Sequence, residues 1–484
     1  MGIANWTAGF DISDDVRNYV KKYIRRLRDA VPHVDGYCIL RSMMNANEWI
    51  NLEKTVTSSK RYYAHFDLRT DIGQQKKYIS SADKIATHSF YPFIHYKKDM
   101  TKYKSGVGKK IKERDICYAA HIDRCIYQYY SFLLNELYNE RLRNDNILSV
   151  PVAYRTDLHK NNIHFAKRAF DFIKSCDSAY VMIGDFTKFF DMLDHDYLKR
   201  QWCSLLRVER LPKDHFAVLK NITQFSMFEL TDILRLNGLD DSIGGRRALN
   251  KQQRALTKEQ FRSNKSLVKK NPNPWGIPQG SPISGLLANL YMLEIDKQIY
   301  DFVSAVGGLY MRYSDDFIIV LPRRTDHDSI ALLKQILEMF NKIPGITLQV
   351  DKTQYFSYDH EVVSNIGSTI APTSDCSNSV INFLGFSFDG KNVSIRSKTN
   401  FKYYCRMYRK ARFISKCGGY TSKGTHISER NLYEKYSEKG IKKGNYLSYV
   451  RRAQKEFGVE QYESIGRDTK NHMRKIAKAK KAQK

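Results

Sequence analysis

The sequence predicts an α+β protein whose main sheet is antiparallel. Three observations predict this class: helical and strand-forming segments are mixed along the chain, two apolar runs flank a polar turn over residues 308–321, and no internal repeat is present. Hydrophobic residues make up 42% and aromatic residues 13%, enough for substantial cores. At 484 residues, the chain is expected to form two or three domains.

Each predicted element follows from its hydrophobic pattern. Helices are predicted where apolar residues recur at helical spacing, and strands where short runs of strand-forming residues end at polar or Gly-Pro segments. The predicted elements are a helix over 121–143, a strand over 179–186, a helix over 283–300, a hairpin over 308–321, a helix over 329–340, strands over 346–356 and 380–388, and mostly helix beyond.

The chain is strongly basic, with 80 Lys and Arg against 51 Asp and Glu, a formal charge of +29. This excess favours a nucleic acid partner, because neutralised phosphates release counterions. An anionic membrane surface is the competing interpretation, but no window offers about 18 uncharged apolar residues. Residues 391–484 contain 26 basic and 7 acidic residues, hence +19 of the total. The last residues fit either a helix on a phosphate backbone or a solvated tail.

Cysteine usage and the first residues predict a cytoplasmic protein. The eight cysteines form no C-x-x-C pair, which argues against a zinc ribbon or a disulfide framework. The opening MGIANWTAGFDISDD lacks the basic and then apolar segments of a secretory signal. We therefore expect a reducing environment and no membrane association.

Two adjacent aspartates interrupt the apolar run YMRYSDDFIIVL. Charged residues are rare in such a run unless they face solvent or bind a ligand. A tight hairpin presents Asp315 and Asp316 together, and carboxylates this close repel each other unless a cation neutralises them. Taken alone, Ser-Asp-Asp in a hairpin is more often a plain polar turn than a metal site.

A further acid, Asp185, ends the predicted strand in VMIGDFTKFFDMLDHDYL. Two-metal phosphoryl transfer needs carboxylates from separate strands around ions ~3.5–4 Å apart. Oxygen ligands without a Cys or His cluster suit Mg²⁺. The neighbouring Asp191, Asp194 and Asp196 are interpreted as caps of the following helix.

Seven ordered segments resemble the prokaryotic reverse transcriptases related to group II intron and retron enzymes. They are KERDICYAAHIDR (112–124), AYR (153–155), DFTKFFDMLDH (185–195), WGIPQGSPIS (275–284), YSDD (313–316), GITLQVDKT (345–353) and NFLGF (382–386). One such match is weak, whereas the ordered set is specific. The resemblance implies a right-hand polymerase with fingers, a palm carrying the catalytic antiparallel sheet, and a helical thumb.

The same resemblance implies a division of the chain. Residues 1–100 are expected to be a largely helical extension of unknown role, residues 101–390 the fingers and palm, and residues 391–484 the basic helical thumb and tail. The long gap between the third and fourth segments predicts an insertion at about 205–272.

The resemblance also implies the catalytic centre. Asp185 and Asp315 are the expected metal ligands, Asp316 is the auxiliary acid, and Phe186 lends its backbone carbonyl. Two Mg²⁺ ions are the expected cofactors, with Mn²⁺ as a substitute.

The resemblance further implies the dNTP-binding residues. Phe190 occupies the steric-gate position, where a bulky ring excludes a ribose 2′-hydroxyl. Gln279 and Gly280 line the bottom of the nucleotide pocket, and glycine lets the backbone come close to the substrate. Arg114 reaches the triphosphate through its planar fork of donors. Lys352 approaches the leaving pyrophosphate as a proton donor.

Two further sets are expected by motif. Lys112 and Arg155 are weaker candidates for the nucleotide pocket, with surface charge as the alternative role. The primer grip is expected at Phe383, Leu384, Gly385 and Phe386.

The expected activity is RNA-directed DNA synthesis from dNTPs on a noncoding RNA template. The segment FLGFSFDGKNVSIRSKTNFKYYCRMYRKARF resembles retron polymerases and the defence-associated "unknown group" enzymes, which implies an antiphage role, with a second copy or an accessory defence protein as further partners. Two alternatives stay open. One is template-independent or protein-primed synthesis by the same site, and the other is a catalytically silent RNA-binding protein. A group II maturase is disfavoured by the short C-terminal region.

Overall fold

The computed structural model describes residues 45–46, 48–104, 108–323, 326–349, 352–370, 379–420, 424, 426–427, 429–458 and 471–481. The chain divides into two compact units, each built from several segments. The first unit comprises Met1–Leu148, Thr187–Lys297 and Lys342–Thr347. The second unit comprises Ser149–Phe186, Gln298–Asn341 and Leu348–Lys484.

Helices and strands are mixed along the described chain. The strands are β1 (Phe93–Lys104), β2 (Gly108–Tyr118), β3 (Ser178–Asp185), β4 (Ser226–Glu229), β5 (Lys269–Lys270), β6 (Leu309–Tyr313), β7 (Asp316–Pro322), β8 (Gln354–Asp359), β9 (Val362–Asn365), β10 (Ile381–Phe383), β11 (Phe386–Phe388) and β12 (Val393–Ile395). The α-helices are Glu53–Ser59, Ile72–Ile79, Ala82–Ala86, His121–Asn144, Asn162–Lys174, His195–Leu206, Lys213–Thr223, Leu230–Leu236, Ile243–Leu249, Lys258–Ser263, Ser284–Tyr291, Leu293–Ala305, Asp326–Asn341, Gly367–Ile370, Ser397–Lys416, Glu429–Tyr436, Tyr446–Phe457 and His472–Lys481.

The first unit contains a four-stranded sheet in the order β2-β1-β4-β5. β1 and β2 form a long antiparallel hairpin, while β4 pairs with β1 in parallel. Ile94 of β1 and Phe228 of β4 are fully buried in a core that continues into the helix Leu230–Leu236. The segment predicted as an insertion therefore supplies a strand and part of a core to this unit, and its status as an insertion stays a prediction.

The second unit contains a five-stranded sheet in the order β6-β7-β3-β8-β9. Every neighbouring pair in this sheet is antiparallel, which confirms the predicted α+β class with an antiparallel sheet. β3 is central and buried along almost its whole length, as its continuous apolar sequence requires. The predicted hairpin over 308–321 is β6 and β7.

Packing in the second unit covers the central sheet on both faces. One face contacts the helix Asn162–Lys174, the β10-β11-β12 sheet and the helix Tyr446–Phe457. Towards the other face, the ring of Phe340 lies 4.6 Å from the ring of Phe317 between centroids. These contacts fix β3 and β7, so the residues at their ends have a defined position.

The element predictions hold with three adjustments. The helix predicted over 283–300 is two helices that meet at Met292. The strand predicted over 346–356 begins only at Gln354, and before it Leu348 forms an isolated bridge with Phe186. The strand predicted over 380–388 is two strands, since Leu384 and Gly385 form a turn with positive φ.

Candidate active site

Three acidic residues of the second unit meet at one end of its central sheet. Asp185 at the end of β3 and Asp316 at the start of β7 are direct cross-strand partners. Opposite residues of antiparallel strands project to the same face, with Cβ atoms about 4.5–5.5 Å apart. Asp315 precedes Asp316 in the turn, and its carbonyl oxygen accepts a hydrogen bond of 3.3 Å from the N–H of Phe186.

The turn that presents these acids is held from behind. Ser314 adopts a left-handed φ of 62°, which allows the two-residue connection between β6 and β7. Its hydroxyl lies 3.0 Å from the hydroxyl of Tyr154. Its carbonyl oxygen accepts a hydrogen bond of 3.0 Å from the guanidinium of Arg312, a fully buried residue. Serine therefore has a specific contact at this position, which the sequence pattern did not indicate.

The electrostatics of this end of the sheet disfavour three free carboxylates. Partial removal of its carboxyl from water, together with the negative charges of Asp315 and Asp185, raises the pKa of Asp316 to about 7. The positive charges of Arg396 and Lys352 act in the opposite direction and do not cancel the rise. The Asp316 side chain keeps a solvent-accessible surface, so a cation from solvent has access to it.

Asp185 has one partnered and one unpartnered oxygen. Its Oδ2 lies 3.2 Å from the ammonium of Lys352, which also contacts Gln349. Its Oδ1 is buried and accepts no hydrogen bond from any described residue. A buried carboxylate oxygen without a donor is unfavourable unless a cation or another ligand reaches it.

These residues fit a divalent ion without forming a closed cage. In the described part of the chain, no three His, Cys, Asp or Glu side chains converge closely enough to enclose a metal on their own. Mg²⁺ commonly uses one or two carboxylates and takes its other ligands from water and substrate phosphates. The unpartnered oxygen of Asp185 and the repelled carboxyl of Asp316 suit such an open site.

This charge distribution predicts that Asp316→Asn stabilises the metal-free protein at alkaline pH. Because the pKa of Asp316 is raised on folding, native stability falls as pH rises from about 4 to about 7. After discounting for solvent screening, we expect a gain of about 1 kcal/mol, or ~2–4 °C in melting temperature. Melting curves in a chelator at pH 8 and at about pH 4 measure this, and the gain should vanish at about pH 4, where the carboxyl begins to ionise in the unfolded chain. Equal melting temperatures of Asp316→Asn and the wild-type protein at pH 8 would contradict repulsion among these three carboxylates.

A second set of predicted residues meets within the first unit. The N–H of Ile277 donates to the carbonyl oxygen of Phe190 at 2.9 Å. The N–H of Cys117 donates to the carbonyl oxygen of Gln279 at 2.8 Å. Phe190 is half-buried. The motif segments that contain Phe190, Gln279 and β2 therefore lie side by side.

Arg114 and Lys112 lie on β2 with exposed side chains. Their spacing of two residues places both on one face of the hairpin. The charge of Lys112 acts on the carboxyl of Asp191, so Lys112 approaches the Phe190–Gln279 cluster.

Asp191 has a role that the sequence interpretation missed. Its Oδ1 accepts a hydrogen bond of 3.1 Å from Nε2 of Gln279, and partial desolvation raises its pKa. The prediction that Asp191 caps the next helix is wrong, because a short 3-10 turn containing it ends before that helix begins. Asp194 is the cap, accepting from the N–H of Tyr197 at 2.7 Å, and Asp196 lies in the first turn. The signal available in the sequence was an acid directly after Phe190, the residue expected to act as the steric gate.

Gly280 is required by a close backbone contact. Its φ is +115°, and a Cβ at this position would lie 2.4 Å from the carbonyl oxygen of Cys117. Glycine therefore lets the 276–280 loop lie directly against the backbone of β2. This contact is a second reason for glycine here, beside the expected close approach of the loop to the substrate.

We predict that Gly280→Ala separates this loop from β2. Strain at positive φ contributes roughly 1–3 kcal/mol, and the clash adds to it. The expected results are a lower melting temperature and a raised KM for dNTP. The matched control is Gly238→Ala, which has a φ of +65° but open space around the new Cβ. Equal effects of the two substitutions would show that the contact with Cys117 does not matter.

The predicted primer-grip residues are divided between core and surface. Phe383 and Phe386 are buried in the core of the second unit, so they anchor the hairpin. Leu384 and Gly385 form its turn, and the amide of Asn162 donates to the carbonyl oxygen of Leu384 at 2.9 Å. Of these four residues, Leu384 and Gly385 are the partly exposed ones, and their role as a primer grip stays a prediction.

The guanidinium of Arg155 hydrogen-bonds to residues close to it in the sequence. Its guanidinium donates to Asp157 at 2.6 Å and to the carbonyl oxygen of Pro151 at 3.3 Å. Its side chain is only 1% exposed, so the alternative of a free surface charge is wrong.

Arg396 was not singled out by the sequence. Its N–H donates to the carbonyl oxygen of Gly385 at 3.0 Å, and its charge acts on the carboxyl of Asp316. It directly precedes the helix Ser397–Lys416. One arginine within a basic segment gives no distinguishing signal, which is why it was missed.

Residues 130–388 match the family "Reverse transcriptase (RNA-dependent DNA polymerase)", more than half of the chain. This chain belongs to the reverse transcriptase family. Together with the antiparallel sheet, the match confirms the predicted right-hand polymerase fold.

A curated relative of this reverse transcriptase is the Retron Mx162 reverse transcriptase of Myxococcus xanthus. The two sequences are 28% identical over 129 residues, which cover 25% of this chain and 26% of the relative. The match thus spans about a quarter of the relative's length. It supports the broader prediction of a retron-like prokaryotic enzyme.

Solved structures with detectable similarity include two telomerases. An apo telomerase from Candida tropicalis, truncated from its C-terminal domain, has a TM-score of 0.37 and 13% identity, covering 68% of this chain and 61% of that chain. A telomerase from Candida albicans, solved with a TWJ fragment of telomeric RNA, has a TM-score of 0.33 and 14% identity, covering 85% and 62%. Separately, no helix among the described residues has the length and apolar character needed to cross a bilayer.

Proposed function

We propose that this reverse transcriptase is an RNA-directed DNA polymerase that joins dNTPs to a 3′-hydroxyl. The observation that carries the proposal is the pairing of Asp185 with Asp316, beside Asp315, on adjacent central strands. The unpartnered buried oxygen of Asp185 supports a role for these acids as ligands of divalent ions, with Mg²⁺ as the expected metal and Mn²⁺ as its substitute. The carbonyl of Phe186 completes the proposed ligand set.

Each residue has a proposed task in the transfer. The 3′-hydroxyl loses its proton to solvent, its oxygen bonds to the α-phosphorus of the dNTP, the bond from that phosphorus to the bridging oxygen breaks, and pyrophosphate leaves. Bound divalent ions supply Lewis-acid activation and neutralise developing charge. Lys352 holds Asp185 until substrate arrives and then donates a proton to pyrophosphate, since its half-exposed ammonium is free to swing.

The first unit supplies the proposed nucleotide contacts. Arg114 and Lys112 bind phosphate oxygens from the exposed face of β2. Phe190 excludes the ribose 2′-hydroxyl, and Gln279 with Gly280 supports the base and sugar. The hydrogen bond from Gln279 to Asp191 fixes the orientation of that amide. The buried position of Arg155 favours a supporting role.

The proposal extends to partners and domains. The template is a noncoding RNA, the product is DNA, and the setting is antiphage defence in the cytoplasm, with a second copy or an accessory protein as a further partner. Residues 101–390 act as fingers and palm, residues 391–484 as the basic thumb, and residues 1–100 as an extension. The charge of +19 in the last segment supports contact with nucleic acid.

A primer-extension assay tests this function. Purified protein, an RNA template and a DNA primer are incubated with Mg²⁺ and dNTPs, and the products are sequenced. We expect DNA complementary to the template. A product unrelated to the template, or one attached to a protein tyrosine, would instead support the untemplated or protein-primed alternative. RNA binding without incorporation in either Mg²⁺ or Mn²⁺ would support a silent RNA-binding protein.

A further inference from the structure

The first unit contains an open cavity of about 930 Å³ that the proposed catalytic role does not use. It is lined by the helix Lys213–Thr223, by residues 270–274, by residues 86–90 and by the start of the helix His195–Leu206. None of the acids at the end of β3 and β7 lines it, and neither do Phe190, Gln279 or Arg114. A cavity of this size accommodates one or two nucleotides or a ligand of similar volume.

One lining helix presents an aromatic ring between basic side chains. Lys213, Phe216, Lys220 and Gln224 follow one another at spacings of three, four and four residues, so they share one face. Phe216 is 44% exposed, although a phenyl ring is normally buried. The ammonium of Lys199 lies 5.7 Å from the centroid of its ring. An exposed ring surrounded by cations is therefore a defined feature of this cavity.

The basic residues of the cavity are not neutralised by the protein. Among the described residues, no acid lies within 4.0 Å of the ammonium groups of Lys213, Lys220 or Lys270. Asp196 is the acid in the lining, and it stands in the first turn of its helix. Three lysines against one aspartate leave a positive cavity, which attracts an anionic ligand.

Amide side chains add hydrogen-bonding capacity. Asn221 accepts a hydrogen bond at Oδ1 from the hydroxyl of Tyr127, so its orientation is fixed. Asn271 donates to the carbonyl oxygens of Thr223 and Trp275 at 3.1 and 3.0 Å and accepts from the N–H of Asn273 at 3.2 Å, so it holds the facing segment and is not a ligand contact. Gln224 is exposed at the end of the helical face. The amides of Asn221 and Gln224 suit the polar edges of nucleobases.

We propose that this cavity binds a single-stranded polynucleotide, with a base stacked on Phe216 and phosphates on Lys213, Lys220 and Lys270. Aromatic stacking with backbone neutralisation is how proteins hold unpaired strands. A duplex hides the faces of its bases, so it fits the exposed ring poorly. The inference rests on the proposed function in that it assumes a nucleic acid partner. It adds a binding surface built from residues outside the acidic centre.

Photocrosslinking and equilibrium binding test the site on the full chain. The probe is a 12-nucleotide single-stranded RNA containing 4-thiouridine, compared with DNA of the same sequence and with duplex RNA. Crosslinked peptides are identified by mass spectrometry, and we expect attachment within residues 213–224. Preference for RNA over DNA would identify a template-like strand as the occupant, and the reverse preference a product strand. Crosslinks confined to other peptides would overturn the proposal.

The variants separate stacking from charge. Phe216→Ala should weaken single-strand binding roughly 5- to 100-fold, with Tyr62→Ala as control because Tyr62 is 79% exposed and does not line the cavity. Lys213→Gln with Lys220→Gln should reduce the slope of log K against log salt by about 1.4. The charge-matched control is Lys251→Gln with Lys258→Gln, two exposed lysines outside the cavity.

The catalytic proposal is measured separately in the same preparations. Primer extension on a preannealed duplex reports the acidic centre, and Asp315→Asn should lose extension while keeping the crosslink at 213–224. Normal extension combined with unchanged binding by Phe216→Ala would reject the cavity and leave the polymerase proposal intact. A wild-type protein that forms the crosslink but does not extend the primer would reject the polymerase proposal and leave the cavity proposal intact.

Discussion

Replacing Asp315 and Asp316 together by alanine is expected to abolish dNTP incorporation. The two residues form the turn and first position of β7, and Asp316 is the direct partner of Asp185. Removing the carboxylates removes the proposed ligands of the divalent ions, whose charge stabilisation is worth several kcal/mol. Since each 1.36 kcal/mol is tenfold in rate, we expect a loss of about 10³-fold or more in kcat.

The control for this experiment is Asp359→Asn. Asp359 ends β8 opposite Ser178, the first residue of β3, so it lies at the other end of the strand from Asp185. This variant removes one carboxylate from the same sheet and should keep full activity. The double alanine variant should retain its fold and its binding of RNA. Incorporation at the wild-type rate in that variant would reject the assignment of the catalytic centre.

Replacing Phe190 by alanine is expected to admit ribonucleotides. Phe190 is half-buried, and its carbonyl oxygen accepts a hydrogen bond from the N–H of Ile277, so the residue lies next to the loop that contains Gln279. Without the ring, a 2′-hydroxyl meets no steric barrier. The ratio of kcat/KM for dNTP over rNTP should fall on the order of 10²-fold, the scale on which a pocket distinguishes substrates that differ by one group.

Phe190→Tyr is the matched control, because it keeps the ring and should keep the discrimination. Single-nucleotide incorporation of dATP and ATP opposite a template uridine provides both rate constants. Unchanged discrimination in Phe190→Ala would place the sugar barrier at another residue. A parallel loss for both sugars would indicate that the ring supports the loop and does not select the sugar.

The sequence was sufficient to predict the features that depend on local pattern. The apolar run before Asp185 predicted a buried strand, and the two runs around Asp315 and Asp316 predicted the hairpin. Their pairing did not follow from either pattern alone. It required the resemblance to a polymerase family, because cross-strand register is fixed by contacts between distant segments.

Contacts between distant residues explain what the sequence did not predict. The hydrogen bond between Asp191 and Gln279 joins residues 88 positions apart, so a nearby helix start was the more obvious partner for Asp191. The backbone of Arg396 binds the turn at Gly385, and its charge acts on the carboxyl of Asp316, a residue distant in the sequence. Ser314 is fixed by Tyr154, which lies 160 residues earlier.

Anomalous scattering from Mn²⁺ tests the assignment of the catalytic acids most directly, in crystals of the protein with an RNA–DNA primer–template and an incoming dNTP. We expect manganese bound by carboxylate oxygens of Asp185 and Asp315, close to Asp316, together with oxygens of the triphosphate. Manganese bound elsewhere, with the Lys352 ammonium still on Asp185, would contradict it.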